Sequence, residues 1–334
     1  MYVWLLVIIY LTFISFGLPD GVLGAAWPAI WKDLDSSLSV VGIISMIISV
    51  GTVISSLLSG YLLKHFSTGV LALVSCILTA GSLFGMSFAP SVVWFFVLAL
   101  PLGLGGGAID SVMNHYVSEN YKAHHMNWLH CFWGVGATAG PLIIAQYMSE
   151  PFAWREGYQT IGFMQLTIVI ILLVTLPIWK FAKSKQPNLQ NQSASVSSTK
   201  GIGKSVFKLK GVTYSLVAFL VYCGAESLVG IWGASYLVNA RGLVEESAAN
   251  WISIYFVGIA LGRLITGFIS FKLSNATIIK IGQYTALIGG ILILLPIPIT
   301  LSLIGLLLVG LGFAPIFPTL LHETPRRFGH EHSA

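Results

Sequence analysis

The chain has 334 residues, of which 56% are hydrophobic and 9% charged, with a formal net charge of +5. A soluble domain carries about 25% charged residues, so this composition excludes an ordinary water-covered fold. No basic stripe interleaved with aromatics suggests a nucleic-acid partner, and no nucleophile elbow, phosphate loop or metal signature suggests an enzyme.

The apolar residues come in continuous blocks of roughly 20, the length that crosses about 30 Å of hydrocarbon at 1.5 Å per helical residue. Continuous blocks exclude an alternating sheet barrel. Ten can be drawn, over 2–30, 38–62, 70–88, 92–117, 126–148, 158–180, 211–238, 247–271, 277–296 and 299–321. The first lacks a basic leader and runs into further helix-like sequence, so it reads as a span and not a signal peptide. Within it Pro19 removes a backbone donor just before Asp20 and predicts a broken helix. Block four carries the run Gly103–Gly107, then Asp110 and Asn114 four residues apart on one helix face. In block five Asn127, His130 and Gly134 share a face. The three cysteines all fall inside apolar blocks and read as small packing residues.

Between blocks six and seven the composition changes. The segment 182–210 is polar and reads as a linker between an N-terminal six-helix bundle, 1–181, and a C-terminal bundle, 211–334, with four helices. Lys180, Lys183, Lys185, Lys200, Lys204, Lys208 and Lys210 in or beside it have no acid among them. Alternate loops on its side add Lys64, Lys122, Lys272, Lys280, Arg326 and Arg327, against only Lys32, Arg155 and Arg241 opposite. The positive-inside rule places linker and N-terminus in the cytoplasm of a multi-pass cell-membrane protein.

A repeat links the two bundles. Asp20-Gly21-Val22-Leu23-Gly24 resembles Glu226-Ser227-Leu228-Val229-Gly230 at an offset of 206 residues. Ser59-Gly60-Tyr61 matches Thr266-Gly267-Phe268, and Leu102-Gly103-Leu104-Gly105 matches Val309-Gly310-Leu311-Gly312, both at 207. Parallel repeats of six spans are the sign of major facilitator-type bundles. By this offset two further spans belong beyond Ala334, so the reading expects about 10 of 12 helices and a truncated polypeptide.

Three acids, Asp20, Asp110 and Glu226, lie within spans, where a charge costs about 2.5–3.5 kcal/mol on insertion scales and normally faces a wet cavity or bundle interior. They are candidates for substrate binding or proton coupling; structural carboxylates bonded to neighbouring helices are the alternative. Asn114, Asn127 and His130 would supply hydrogen bonds, or simply tie helices together. The glycines beside Asp110 read as helix-packing residues. Arg263 is assigned to snorkelling or a loop-anchoring pair near the helix end. Trp27, Trp133 and Trp232 sit deeper than the interfacial tryptophans; packing is the first reading of each alone, and a flat face for a sugar ring to stack on is the other. His322, His330 and His332 with Glu323 and Glu331 lack metal-site spacing and read as a solvated loop.

At these residues the chain resembles the fucose–galactose–glucose:proton symporter branch of the major facilitator superfamily. Asp20 matches the acid of that branch's broken first helix; Gly103-Leu104-Gly105, Asp110 and Asn114 match its fourth helix. Asn127 is kept in the fifth helix, with His130 and Trp133 in place of the usual glutamine and asparagine. Gly224, Glu226, Gly230 and Trp232 resemble a seventh-helix pattern of other members, some of them sodium-dependent. The loop motif between spans two and three is altered, Lys64 standing for an acid and His65 for arginine. The resemblance implies an alternating-access symporter for a sugar or similar small polar solute, with a proton, or alternatively sodium, as coupling ion. It implies no cofactor, and no partner beyond the lipid bilayer and the solute. The alternatives are a proton-coupled drug exporter of the same fold and a non-transporting fragment or sensor.

Overall fold

A computed structural model of the chain describes residues 2–121, 123–184, 211–270 and 272–320. The first span, Trp4–Asp33, consists of two helices, α1 (Tyr2–Gly17) and α2 (Val22–Asp33). Pro19 ends the first, and the turn is held by the Asp20 N–H on Gly17 O at 3.0 Å and the Val22 N–H on Pro19 O at 3.2 Å. Gly21 closes it at φ 77°, a left-handed conformation that side chains with a Cβ resist. The same glycine has the Phe256 ring against it, 2.4 Å from where a Cβ would stand.

Eight of the remaining blocks are single helices: α3 (Val40–His65), α4 (Thr68–Ser87), α5 (Val92–Asn120), α6 (Ala123–Ala145), α7 (Trp154–Ser184), α8 (Val212–Asn239), α9 (Glu245–Ile269) and α10 (Asn275–Leu294). The last span, Ile299–Leu320, begins as α11 (Ile299–Phe313), turns at Ala314 and Pro315, where a backbone N–H is missing, and resumes as helix. Among the described residues ten segments are thus long and apolar enough to cross a bilayer, as the ten blocks predict.

Boundaries move where tertiary contacts outweigh hydropathy. Block six was expected from 158, but α7 starts at Trp154. Trp154 is buried against Phe95 and Tyr158, and its indole N–H donates to Asp33 Oδ2 at 2.7 Å. Arg155, which lowers the hydropathy there, lies over the Trp154 ring and donates to the Ala89 carbonyl at 2.8 Å. At its other end α7 runs to Ser184, past the expected linker start at 182. The rest of that linker, and the His322, His330 and His332 group, lie outside the described residues.

In the first half α5 packs between α3 and α4, α4 also packs on α7, and α1 lies along α6 and α7. In the second, α11 packs between α9 and α10, and α8 lies on α9. The repeat seen in the sequence recurs contact by contact. A Cβ on Gly103 of α5 would stand 2.1 Å from Ile48 O of α3, and one on Gly310 of α11 would stand 2.2 Å from Tyr255 O of α9. In reverse, Gly51 of α3 meets Leu100 O, and Gly258 of α9 meets Leu307 O. Each residue of the second set lies 207 beyond its counterpart in the first. The glycines therefore serve close helix approach, as the packing reading has it.

Overpacking such a contact costs about 1–3 kcal/mol. Gly103→Val should accordingly lower the temperature at which the detergent-solubilised chain loses its monodisperse peak. Gly290→Val, where an added Cβ meets nothing within 4 Å, should leave it unchanged.

Buried polar side chains are tied in. Gln165 of α7 donates to Ser15 O of α1 at 2.8 Å and accepts from the Thr79 hydroxyl of α4 at 2.6 Å, joining three helices by one side chain. The two halves meet where α6 packs on α9 and where α2 packs on α8 and α9.

Candidate functional site

Asp20 stands in the non-helical turn between α1 and α2, and its carboxylate meets α6. Its Oδ2 accepts a hydrogen bond from the Trp133 indole N–H of α6 at 2.7 Å. Two glycines bring these helices together: a Cβ on Gly17 would stand 2.2 Å from Trp133 O, and one on Gly136 2.0 Å from Ile14 O.

The face of the same indole carries the Arg263 guanidinium of α9, whose Cζ is 4.5 Å from the ring centroid. Arg263 Nη2 is 3.8 Å from Glu226 Oε1 of α8, with both side chains largely buried. The Glu226 backbone carbonyl in turn accepts from the Tyr255 hydroxyl at 2.9 Å. A continuous chain of contacts, Asp20–Trp133–Arg263–Glu226, thus runs from the broken helix of the first half to the second. Asp20 is also within electrostatic range of Asp110, Glu226 and Arg263.

Asp110 and Asn114 share a face of α5 as their spacing predicts, and Asn114 Nδ2 donates to Asp110 Oδ1 at 2.9 Å. Asn114 Oδ1 is buried with no hydrogen-bond partner among the described residues, which leaves one acceptor free. His130 of α6 packs edge-on to Phe13, centroids 6.0 Å apart, within electrostatic range of Arg263. Asn127 belongs to the same helix, and its side chain lies outside the described residues. Four of the six polar candidates, Asp20, Asp110, His130 and Glu226, therefore lie within electrostatic range of one guanidinium, and Asn114 is bonded to one of them.

The tryptophans divide. Trp27 is a core residue and not a stacking platform: it is 0% exposed, edge-on to Phe95, with its indole N–H on Leu38 O at 2.9 Å. No ring face remains for a solute. Trp133 does stack, but on Arg263. Trp232 is partly buried at the contact of α8 with α3, 3.4 Å from where a Cβ on Gly42 would stand.

Arg263 corrects the sequence reading, which placed it near the helix end as a snorkelling cation or a loop-anchoring ion pair: its partner is Glu226 in another span. It lies six residues before the end of α9, a depth of about 9 Å at 1.5 Å per residue. That exceeds what a side chain spans comfortably, and an acid in another span offers a nearer partner. Depth, together with an acid within another span of the same half, was the available signal.

The opposite charges Lys32 and Glu245 meet at 2.6 Å where α2 ends and α9 begins, and the Ser149 hydroxyl donates to Glu246 Oε2 at 2.9 Å. These join the halves at one face of the molecule. A cavity of about 270 Å³ there, lined by Lys32, Asp33, Ser149 and Glu245 among others, contains none of the central acids.

The sequence profile of the Major Facilitator Superfamily matches residues 9–334. The chain belongs to the major facilitator superfamily. Among curated superfamily relatives it is similar to the glucose/mannose transporter of Bacillus subtilis, 27% identical over 77% of this chain and 63% of that one. It is also similar to the hexuronate transporter of the same organism, at 23% over 75% of this chain and 61% of the other. The sodium-dependent glucose transporter 1A of Mus musculus is 22% identical over 84% of this chain and 72% of its own. The chain therefore spans less than two thirds of the two bacterial relatives. Among solved structures, the E. coli xylose transporter in a partially occluded inward-open conformation superposes with a TM-score of 0.73. It is 16% identical and covers 98% of this chain and 88% of its own. A nucleoside transporter structure gives 0.73 and 16%, over 98% and 85%. At such identities the likeness is one of fold, and these matches are transporters and not enzymes.

Proposed function

We propose that this major facilitator chain belongs to a secondary transporter that carries a sugar or similar small polar solute together with a proton by alternating access. The observation that carries the reading is Asp20: a carboxylate in the break of the first span, bonded to Trp133 and reaching the Arg263–Glu226 pair of the other half. A carboxylate accepts a charge-assisted hydrogen bond, roughly twice as strong as a neutral one. Taking up a proton therefore loosens the Asp20–Trp133 contact between α1 and α6. Asp110 is the second acid of the site, and the free Asn114 acceptor suits a solute hydroxyl. His130 and Asn127 are further hydrogen-bonding candidates on α6, and Glu226 contributes from the second half. The sugar names of the relatives support the solute class.

In this reading the protein sits in the cell membrane with its N-terminus and the 182–210 segment in the cytoplasm, which puts Lys32 and Glu245 outside. Sodium is the rival coupling ion, since one relative is named a sodium-dependent glucose transporter. The test is uptake of radiolabelled D-glucose, D-mannose and D-glucuronate into proteoliposomes under an imposed proton or sodium gradient. Accumulation driven by the pH gradient and abolished by a protonophore is the expected result. Accumulation driven by sodium alone would reassign the ion. Lack of uptake of all three sugars under either gradient would sink the solute class.

A further inference from the structure

We infer that Arg263 is the positioning residue that couples Asp20 to the movement of the two halves, acting through Trp133 and held in place by Glu226. The inference rests on the transporter reading above and deepens it by assigning a role to Arg263, which that reading names only as a neighbour of Asp20.

Three observations carry it. Arg263 touches both halves at once: its guanidinium covers the Trp133 ring on α6 and pairs with Glu226 on α8. The ring it covers is the one whose N–H holds Asp20, so the cation and the carboxylate engage two different parts of a single indole. The backbones are drawn close beside this contact, a Cβ on Gly134 of α6 standing 2.9 Å from the Ala260 Cβ of α9. A shift of the ring therefore cannot be absorbed by slack between the helices.

The physical consequence follows from the two forms of Asp20. As a carboxylate it pins the indole edge, and the indole face then lies under the guanidinium. As a neutral acid it holds the indole weakly, and the guanidinium is left with Glu226 as its strong partner. A cation over an aromatic face is held more strongly when desolvated than at an exposed site. Redistributing that contact changes which arrangement of α6 against α9 is preferred. The groups facing the guanidinium are Glu226 and Tyr222 on α8, Asp20 in the turn, Asp110 on α5, and His130 and Cys131 on α6, with Tyr255 on its own helix. Any of these that changes charge acts on the same cation, so variants must separate them.

The test uses the full chain with its three native cysteines replaced and spin labels at positions 64 and 272. Both positions are exposed; 64 lies at the end of α3 and 272 in the turn just beyond α9, away from Lys32. Inter-label distances are measured in nanodiscs from about pH 5 to about pH 8, the range in which perturbed carboxyl and imidazole groups change charge. The wild-type distribution should shift by several ångström across that range. Arg263→Gln and Trp133→Phe should both abolish the shift, while Arg263→Lys should keep at least part of it. Asp20→Asn should abolish it as well, and Gly290→Ala, where an added Cβ meets nothing within 4 Å, should leave it in place. An Arg263→Gln chain that responds like wild type, or a wild type that ignores pH, would overturn the inference. So would Arg263→Lys failing together with Arg263→Gln, which marks a merely structural role. Glucose counterflow by the same variants reconstituted into proteoliposomes fails separately: its absence in a wild type that still responds to pH sinks the sugar reading and leaves the role of Arg263 standing.

Discussion

Asp20→Asn should abolish proton-driven accumulation while leaving solute exchange intact. The substitution keeps the shape of the side chain, and the Asn carbonyl oxygen still accepts from the Trp133 indole that donates to Asp20 Oδ2 at 2.7 Å. Trading a charge-assisted for a neutral hydrogen bond costs about 1 kcal/mol, too little to unfold a bundle held by two helical halves. What the variant loses is the exchangeable proton. A gradient of one pH unit is worth about 1.4 kcal/mol per proton, or roughly tenfold in concentration at equilibrium. A one-proton symporter should hold a solute gradient of that size, and Asp20→Asn should hold none. Counterflow of labelled D-glucose, which needs no net proton movement, should stay within about twofold of wild type, well below the tenfold that 1.4 kcal/mol represents. Retained accumulation would remove Asp20 as the carrier. Equal loss of accumulation and counterflow would make it a solute ligand instead.

The contrast between Asp20 and Arg263 shows what was legible in the sequence. Asp20 announces itself locally, because a proline precedes it, a glycine follows it, and an acid in an apolar block needs a reason. The Asp110–Asn114 pair is equally local, a matter of spacing on one helix. The glycine contacts were legible through the repeat, since a backbone that must approach another backbone tolerates no Cβ in either half. Arg263 gains its meaning only from residues 37 and 130 positions away in the chain, Glu226 and Trp133, and no periodicity along α9 reveals them. The tryptophans stayed undivided between stacking and packing for a related reason. Depth in a span does not distinguish Trp27, sealed in the core with its N–H on Leu38 O, from Trp133, which faces Asp20 and Arg263. The start of α7 was missed because Arg155 lowers the hydropathy of a turn that it in fact stabilises through Trp154 and Ala89.

The second large effect should come from Gly24→Ala. Gly24 lies in α2, and a Cβ there would stand 1.9 Å from Gly230 O and 2.9 Å from the Ile231 Cα of α8, so both obstacles are backbone and cannot rotate away. The helix itself gains from the change, since alanine is favoured over glycine in helices by about 1 kcal/mol. The penalty thus falls on the closeness of α2 and α8 and not on either helix. Overpacking costs about 1–3 kcal/mol, which corresponds to roughly 5- to 150-fold in an equilibrium between two arrangements. The Lys32–Glu245 pair at the same face cannot offset it, because exposed ion pairs contribute about 0–1 kcal/mol. Gly24→Ala should therefore favour the arrangement in which the halves part at the Lys32 face. A cysteine replacing Trp232 in a cysteine-free background reports this as labelling by a membrane-impermeant maleimide added from that face. The rate should rise by at least about fivefold on adding Gly24→Ala, the lower bound set by that equilibrium, whereas Gly290→Ala should leave it unchanged. An unchanged rate with Gly24→Ala would mean that α2 and α8 separate without needing the clash, and that this face does not open and close as a unit.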